Sequence, residues 1–437
     1  MGKLLKPLFI IIIVIGVLIF LLASQQPGSA EIGLPAAKPE EMGFSSEKLA
    51  EAHQHVRKYV DENKIAGFIT LVARKGKIVH LEKYGMRDIE QQRPMEYNTI
   101  FRLASMTKPV SSVALMILYE QGKVKLDDPV KKYIPEFAET KVYTGNGNLI
   151  AQQRPMTVKD ALVHTTGLTA GEFGNGPVHK LYQESGIGEA TDLADFVKRL
   201  AKLPLLHQPG AAWTYGFSTD LVARIVEIVS QMPFDEFMKK NILEPLKMKD
   251  TAYQTPENKL DRFASAYTAR GGSGLQFVNA PVKAEFPRGI SRLYSTTEDY
   301  LRFARMMLNG GALEGVRILR PETVALMTRN HLPENLIPIG VLGLSMPNNG
   351  FGLGFSVVVD DENAPPLPNG FWWNRGAPPI GSYWWIGSYQ TYFWIDPENE
   401  IIGMLMTQSI DMPYPYKQEF HKMVYEAFRG GVVSSGP

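Results

Sequence analysis

Phe101-Arg102-Leu103-Ala104-Ser105-Met106-Thr107-Lys108-Pro109 is the stretch that decides the fold, and a largely apolar run from Val110 to Leu118, interrupted by Ser111 and Ser112, follows it. That run predicts a buried helix, for which Gly122 supplies a plausible end. We expect Ser105 in the first turn, where side chains three positions apart share a face and the Lys108 amine can reach the Ser105 hydroxyl. The helix dipole favours a developing alkoxide, and desolvation lowers the lysine pKa. The pair therefore predicts a serine nucleophile with a neutral lysine as its base.

A second serine and lysine at the same spacing occur in Ser45-Ser46-Glu47-Lys48. An amphipathic segment follows them, with apolar residues at helical spacing. We interpret Ser45 as the N-cap of that helix, because a serine side chain there accepts a hydrogen bond from a free backbone N–H.

Composition excludes several classes of function. The chain has 437 residues, 44% of them hydrophobic, and a formal charge of +1 with no long basic run, so nucleic acid is not an expected partner. Cysteine is absent, which removes thiol catalysis, thiolate metal sites and disulfides. No Gly-x-Ser-x-Gly elbow or phosphate loop occurs, and we predict no cofactor. His53-Gln54-His55 has no further ligand at useful spacing, so we predict exposed helix histidines and no metal.

The N-terminus predicts export. Two lysines precede sixteen residues, Leu8 to Ala23, that are apolar apart from one glycine, and Gly28-Ser29-Ala30 offers a cleavage site. This length lies between a signal-peptide core and a transmembrane span, so residues 1–30 are either a signal peptide or a membrane anchor. In both cases we expect the body of the protein on the periplasmic or extracellular side, tethered to the inner membrane if the segment is uncleaved.

Strand patterns occur near both ends of the chain, and helical patterns lie between them. Gly67 to Arg74 and Lys77 to Tyr84 predict a hairpin, and a helix is expected from Ser46 to Asn63. We predict an α+β fold: an α/β domain of two segments, 31–125 and 289–437, with a mainly helical inserted domain, 126–288. Further elements are predicted at Leu193 to Leu203, Leu221 to Ser230, Phe234 to Ile242, Gly352 to Val359, Ser382 to Ile395, Ile401 to Gln408 and Gln418 to Phe428.

Further segments accompany the serine–lysine pair in an order and spacing that accident does not readily produce. They are Leu126-Asp127-Asp128-Pro129-Val130, Thr157-Val158-Lys159-Asp160, His164-Thr165-Thr166-Gly167-Leu168, Pro209-Gly210, Trp213-Thr214-Tyr215, Ser295-Thr296-Thr297-Glu298-Asp299-Tyr300 and Phe393-Trp394-Ile395-Asp396-Pro397. With them the chain resembles the serine β-lactamase and penicillin-binding protein superfamily, in the branch shared by class C β-lactamases and family VIII carboxylesterases. The resemblance implies a β-lactamase/transpeptidase-like fold, with an antiparallel sheet flanked by helices.

The family's second motif is a tyrosine followed two residues later by asparagine. Tyr215-Gly216-Phe217 occupies it, so the resemblance implies that Tyr215 is the third catalytic residue with Ser105 and Lys108. A tyrosine near a lysine ammonium can pass a proton between the serine and the leaving group. Phe217 lacks the amide that contacts an acylamide side chain, which weakens the expectation of efficient β-lactam binding. His164 is interpreted as a brace for the turn at Thr166 and Gly167.

The family's third motif is Lys-Thr-Gly on a strand beside the nucleophile, and here it reads Trp385-Ile386-Gly387, followed by Ser388. The resemblance implies that the backbone amides of Ser105 and Ser388 form the oxyanion hole. It also implies substrate contacts at Phe217, Trp385 and Gly387. Where the family lysine holds a substrate carboxylate, the Trp385 indole favours a neutral, more apolar substrate, although Trp385 could also be a core aromatic.

These features predict an exported serine hydrolase that forms an acyl-enzyme on Ser105, most simply a carboxylesterase for small neutral esters. Its partner is a small ester or β-lactam-like molecule. A β-lactamase or a D-alanyl-D-alanine carboxypeptidase or D-aminopeptidase is the alternative within the enzyme class. A catalytically idle, membrane-tethered binding module is the alternative outside it.

Overall fold

The computed structural model describes residues 35–269, 274–280, 285–341, 344–360, 378–410 and 414–428. The predicted signal peptide or anchor, residues 1–30, lies outside the described residues. Within the described ranges, none of the helices combines the length and the apolar character that crossing a membrane requires.

The helices and strands are labelled here in chain order. The α-helices are α1 Ser46–Asp61, α2 Thr107–Glu120, α3 Val158–Val163, α4 Pro177–Glu184, α5 Leu193–Leu200, α6 Ser218–Ser230, α7 Phe234–Met238, α8 Thr297–Leu308, α9 Pro321–Thr328 and α10 Tyr416–Ala427. The strands are β1 Gly67–Arg74, β2 Lys77–Asp88, β3 Arg93–Pro94, β4 Phe101–Arg102, β5 Val142–Tyr143, β6 Leu149–Ile150, β7 Ala266–Thr268, β8 Gln276–Val278, β9 Tyr294–Ser295, β10 Ala312–Leu313, β11 Val316–Arg317, β12 Ile339–Val341, β13 Leu344–Met346, β14 Asn349–Phe351, β15 Ser356–Val358, β16 Tyr383–Ile386, β17 Tyr392–Asp396 and β18 Ile401–Thr407.

An antiparallel sheet made from both ends of the chain organises the molecule. Its strand order is β14-β15-β16-β17-β18-β1-β2-β3, so the last strand in sequence lies beside the first. The register of β1 on β18 pairs Leu71 with Met404 and Val72 with Gly403. A Cβ on Gly403 would lie 2.0 Å from the Trp394 ring of the neighbouring strand, so only glycine lets that indole lie across β18.

Side chains alternate between two buried faces along β1. Phe68 and Val72 join a core beneath α1 and α10, whereas Ile69 and Leu71 join the larger core that contains α2 and α8. Since successive strand residues point to opposite faces, a sheet covered on both sides requires the nearly continuous apolar sequence of β1. The serine–lysine stretch therefore lies in the core on one side of the sheet.

The α+β, β-lactamase-like fold is confirmed, and most predicted elements are present with shifted ends. Strand β1 has the predicted bounds, and α1 ends at Asp61 instead of Asn63. The segment predicted as one helix to Ile242 is α7 continued by a π-helix, Lys239–Leu243. The segment predicted as one strand to Ile395 is β16 and β17 with a tight turn between them. The two-domain boundaries at 125/126 and 288/289 stay a prediction.

Candidate active site

Ser105 lies in a single 3₁₀ turn, Ala104–Met106, that runs directly into α2. Ser105 therefore lies one short turn before α2, whereas the sequence predicted it within the first turn of that helix. Ala104 has φ of 46°, a left-handed conformation that costs energy for a residue with a side chain. This backbone lifts Ser105, which is partly exposed, out of a stretch whose neighbours Leu103 and Met106 are buried.

Lys108 lies on the first turn of α2 with its amine beside the serine. Its Nζ is 3.0 Å from Ser105 Oγ and donates to the Ile290 carbonyl at 3.0 Å. Burial lowers the pKa of Lys108 to about 7, an effect that Asp220 opposes and Arg288 reinforces. A substantial fraction of this amine is neutral near pH 7 and is able to accept a proton from the serine.

Tyr215 closes the site from the loop that precedes α6. Its hydroxyl lies near the Ser105 side chain, which acts to lower the pKa of the phenol, and accepts a hydrogen bond from Trp385 Nε1 at 3.2 Å. Lys108 Nζ lies 4.5 Å from the centre of the Tyr215 ring. Burial raises the pKa of Tyr215 above its usual value, so the phenol stays protonated. The arrangement suits a hydroxyl that relays a proton between the serine and the lysine.

Aromatic rings surround Tyr215. Trp213 stacks on it with ring centres 6.0 Å apart, and the rings of His164 and Phe173 lie at 5.0 Å and 5.3 Å. Phe351 of β14 contacts the His164 ring edge to face and the Trp213 ring at a tilt. His164 ends α3 with φ of 61°, as a turn brace would, and burial holds its pKa well below the usual value, so the ring is neutral. Neither Phe173 nor Phe351 belongs to a motif identified from the sequence.

The glycine of the third segment brings β16 against the nucleophile turn. A Cβ on Gly387 would lie 2.2 Å from the Leu103 carbonyl oxygen, so glycine is required for this approach. Thr391, across the turn, donates its hydroxyl to the same carbonyl at 3.2 Å. Ser388 follows Gly387 in an exposed position near the Ser105 turn. This placement is the one that the predicted oxyanion hole needs, and the hole itself stays a prediction.

The two residues that depart from the family motifs have different surroundings. Trp385 is 1% exposed and packs against Tyr215 and Phe351, so its indole lies at the catalytic tyrosine. Phe217 packs instead within the helical region, between Phe196, Tyr182 and the Arg288 guanidinium. None of these contacts supports the predicted role of Phe217 in substrate binding, which stays a prediction.

The other candidates from the sequence have structural surroundings. Ser45 accepts a hydrogen bond from Lys48 N at 3.3 Å and caps α1, which confirms its predicted role. The prediction of an exposed His53 is wrong: α1 turns this side chain onto the sheet, where its Nδ1 lies 3.2 Å from Thr70 Oγ1. His80 Nε2 lies 2.9 Å from the same hydroxyl. The described ranges contain no group of three or more potential metal ligands.

Comparison with known proteins places this geometry in a family. The family model described as Beta-lactamase matches residues 52–418. An uncharacterised protein of Mycobacterium tuberculosis is 33% identical over 362 residues, which are 81% of this chain and 88% of that protein. Esterase EstB of Burkholderia gladioli is 28% identical over 377 residues, 80% of this chain and 87% of the esterase.

Solved structures share the fold. Simvastatin synthase (LovD) from Aspergillus terreus superimposes with a TM-score of 0.75 at 22% identity, over 89% of this chain and all of that one. EstCE1, described as a hydrolase with promiscuous acyltransferase activity, gives a TM-score of 0.73 at 24% identity, over 87% of this chain and 99% of that one. The chain thus belongs to the β-lactamase family and is a serine hydrolase of it.

Proposed function

We propose that the protein is a carboxylesterase that forms an acyl-enzyme on Ser105 and acts on small neutral esters. The observation that carries this proposal is the Trp385 indole, which occupies the third-motif position and donates to the Tyr215 hydroxyl at 3.2 Å. An apolar ring cannot pair with a substrate carboxylate, whereas it can pack against an acyl or alkoxy group. EstB, one of the relatives with a named activity, is an esterase by name.

The geometry supports a two-step reaction. Neutral Lys108 takes the Ser105 proton, directly or through Tyr215, as Oγ attacks the ester carbonyl. The amides of Ser105 and Ser388 would stabilise the negative oxygen of the tetrahedral intermediate. When the C–O bond breaks, the proton returns to the alcohol, and the acyl group stays on Oγ. Water then attacks the acyl-enzyme with the same base, which releases the acid and restores the serine.

Parallel assays test the substrate class. We expect p-nitrophenyl acetate and butyrate to be hydrolysed with a higher kcat/KM than a chromogenic cephalosporin or an acyl-D-alanyl-D-alanine peptide. A fluorescent alkyl phosphonate should label wild-type protein at one site. Preferential hydrolysis of the cephalosporin or the peptide would support the β-lactamase or peptidase alternative. Absence of both labelling and turnover would support an idle binding module.

Acyl transfer to an alcohol is a second candidate, and the aromatic enclosure of Tyr215 favours it. Rings of Trp213, Phe173 and Trp385 contact the tyrosine, and such apolar walls can bind an alcohol in competition with water. Relatives include a monacolin J acid methylbutanoyltransferase of Aspergillus terreus, 25% identical over 373 residues. Adding a primary alcohol to the ester assay measures the partition between acid and new ester, and formation of acid alone would count against transfer.

A further inference from the structure

A buried ion pair lies outside the predicted catalytic residues. Asp220, in the first turn of α6, is fully buried, and Arg288 is 7% exposed. Arg288 donates through Nε at 2.9 Å and Nη2 at 2.6 Å to the two carboxylate oxygens of Asp220. The backbone amides of Gly289 and Ile290 donate to Asp220 Oδ1 at 3.0 Å and 3.4 Å. A buried ion pair contributes little net stability on average, so this pair is a candidate for another role.

The segment that this pair holds leads directly to the base. The Ile290 carbonyl accepts the hydrogen bond from Lys108 Nζ at 3.0 Å. Ser111, one turn further along α2, donates to the Gly289 carbonyl at 2.8 Å. A Cβ on Gly289 would lie 2.1 Å from the Thr219 carbonyl oxygen, so the segment lies tightly against α6. Residues 288–290 are therefore clamped between the helix that carries the base and the helix that carries Asp220.

We propose that Asp220 is a positioning residue for catalysis, which holds the Ile290 carbonyl where it orients the Lys108 amine toward Ser105, and that Arg288 balances the charge of Asp220. A neutral amine has one lone pair and two N–H groups. When one N–H is donated to Ile290, the lone pair is free to face the serine hydroxyl, 3.0 Å away. This inference rests on the proposed role of Lys108 as the base.

The pair also balances charge around the amine. After burial, which lowers the pKa of Lys108, the largest effects are from Asp220, which raises it, and Arg288, which lowers it. Glu172, an exposed residue in the 3₁₀ turn Gly171–Phe173, has a smaller raising effect. The other groups that face Lys108 are neutral: the Tyr215 phenol and the His164 imidazole. Removing one partner of the pair therefore leaves a net charge that acts on Lys108, with opposite sign for the two partners.

Single variants test the charge balance. In Asp220→Asn the remaining guanidinium should lower the pH of the acid limb of kcat/KM, and in Arg288→Met the remaining carboxylate should raise it, each by about one unit. The matched control is Asp250→Asn, which breaks a carboxylate pair with Arg262 at 2.7 Å and should leave the limb unchanged. Shifts in the same direction, or no shift in either folded variant, would overturn the proposal.

Double variants test positioning without an unpaired buried charge, which could prevent folding of the single variants. Asp220→Asn with Arg288→Met keeps an acceptor for Gly289 N–H and should retain kcat and an acid limb near those of wild type. Asp220→Ala with Arg288→Met is also uncharged but lacks the acceptor. Its kcat should be about tenfold lower than that of the first double variant, with little change in KM. Equal kcat values for the two folded double variants would show that Asp220 does not position the base.

The phosphonate label separates this inference from the proposed function. If wild-type protein neither reacts with the phosphonate nor hydrolyses esters, the proposed function fails. If wild type is active, but neither single variant shifts the acid limb and the two double variants have equal kcat, only the role of Asp220 and Arg288 fails.

Discussion

Lys108 is the residue whose protonation state governs the proposed reaction. The residue is 2% exposed and lies on the first turn of α2. Burial disfavours the ammonium form, so the base needed for attack by Ser105 is available without a separate histidine. The same burial ties activity to pH.

We expect kcat/KM for a neutral ester to rise with pH through about 7 and then to level off. The pKa of Lys108 is lowered to about 7, so the amine is charged below this pH and neutral above it. Only the neutral form accepts the serine proton, which makes the limb an acid limb. Initial rates between pH 5 and 9 measure it, and a kcat/KM that still rises at pH 9 without levelling off would show an unperturbed lysine.

Ser105→Ala should lower turnover by at least about 10³-fold and abolish phosphonate labelling, because the nucleophile is removed. Ser45→Ala is the matched control, since it alters the other Ser-x-x-Lys segment. Ser45 caps α1, so its loss should cost about 1 kcal/mol of stability and leave kcat near the wild-type value. Labelling that persists in the Ser105 variant would disprove the assignment of the nucleophile.

At the scale of elements, the loop before α6 and the end of β16 decide what surrounds the nucleophile. Thr214 N donates to the His164 carbonyl at 2.9 Å, and a Cβ on Gly216 would lie 2.5 Å from the Thr169 backbone. These contacts fix the residues on both sides of Tyr215. The position of its hydroxyl is therefore a property of packed backbone segments.

Tyr215→Phe should lower kcat by roughly 10²-fold or more, the usual range for a group that transfers protons. The ring contacts with Trp213 and His164 are kept, so folding should change little. The kcat and the melting temperature are measured on the same sample. A large fall in melting temperature with preserved kcat would make Tyr215 a core residue only.

Trp385→Lys should raise the ratio of β-lactam to ester kcat/KM by about tenfold. The ammonium costs energy to desolvate beside a neutral ester but can pair with a β-lactam carboxylate. Adding Phe217→Asn restores the amide of the second motif and should raise the ratio further if that side chain reaches the substrate. Phe217 packs against Phe196 and Tyr182. If the second substitution leaves the ratio unchanged, Phe217 is a packing residue of the helical region and not a substrate contact.

At the scale of the whole molecule, the central sheet joins residues from both ends of the described chain. Strand β18 lies between β17 and β1, so the two halves of the sheet can pair only after nearly the entire chain is present. The contacts described at the site involve residues from 103 onward. The N-terminal segment is thus separate in sequence from the residues that carry the proposed chemistry.

Removal of residues 1–30 should leave the kcat/KM of the purified protein unchanged and should retain the protein in the cytoplasm. The basic start and the apolar run of Leu8 to Ala23 are the export signal that we propose. Cell fractionation with an ester assay measures both effects, and the full-length chain is the control. Equal distribution of the two proteins between fractions would contradict a targeting role.

The sequence by itself determined the features that depend on near neighbours. The contact of Ser105 with Lys108, the N-cap at Ser45 and the apolar pattern of β1 are local, and the structure contains each of them, although Ser105 lies one short turn before the helix. Local periodicity carries this information because helices and strands repeat over a few residues. The family motifs extended the prediction to Tyr215 and Trp385, which the fold brings together.

Only the tertiary structure decided the contacts between distant segments. The Ile290 carbonyl at Lys108 comes from 182 positions away, and Trp385 reaches Tyr215 across 170. His53 is buried because α1 lies on the sheet, although its residue type suggests exposure. Which polar group is buried, and what it meets there, depends on how sheet and helices pack, since a local pattern marks an apolar face but not the partner that covers it.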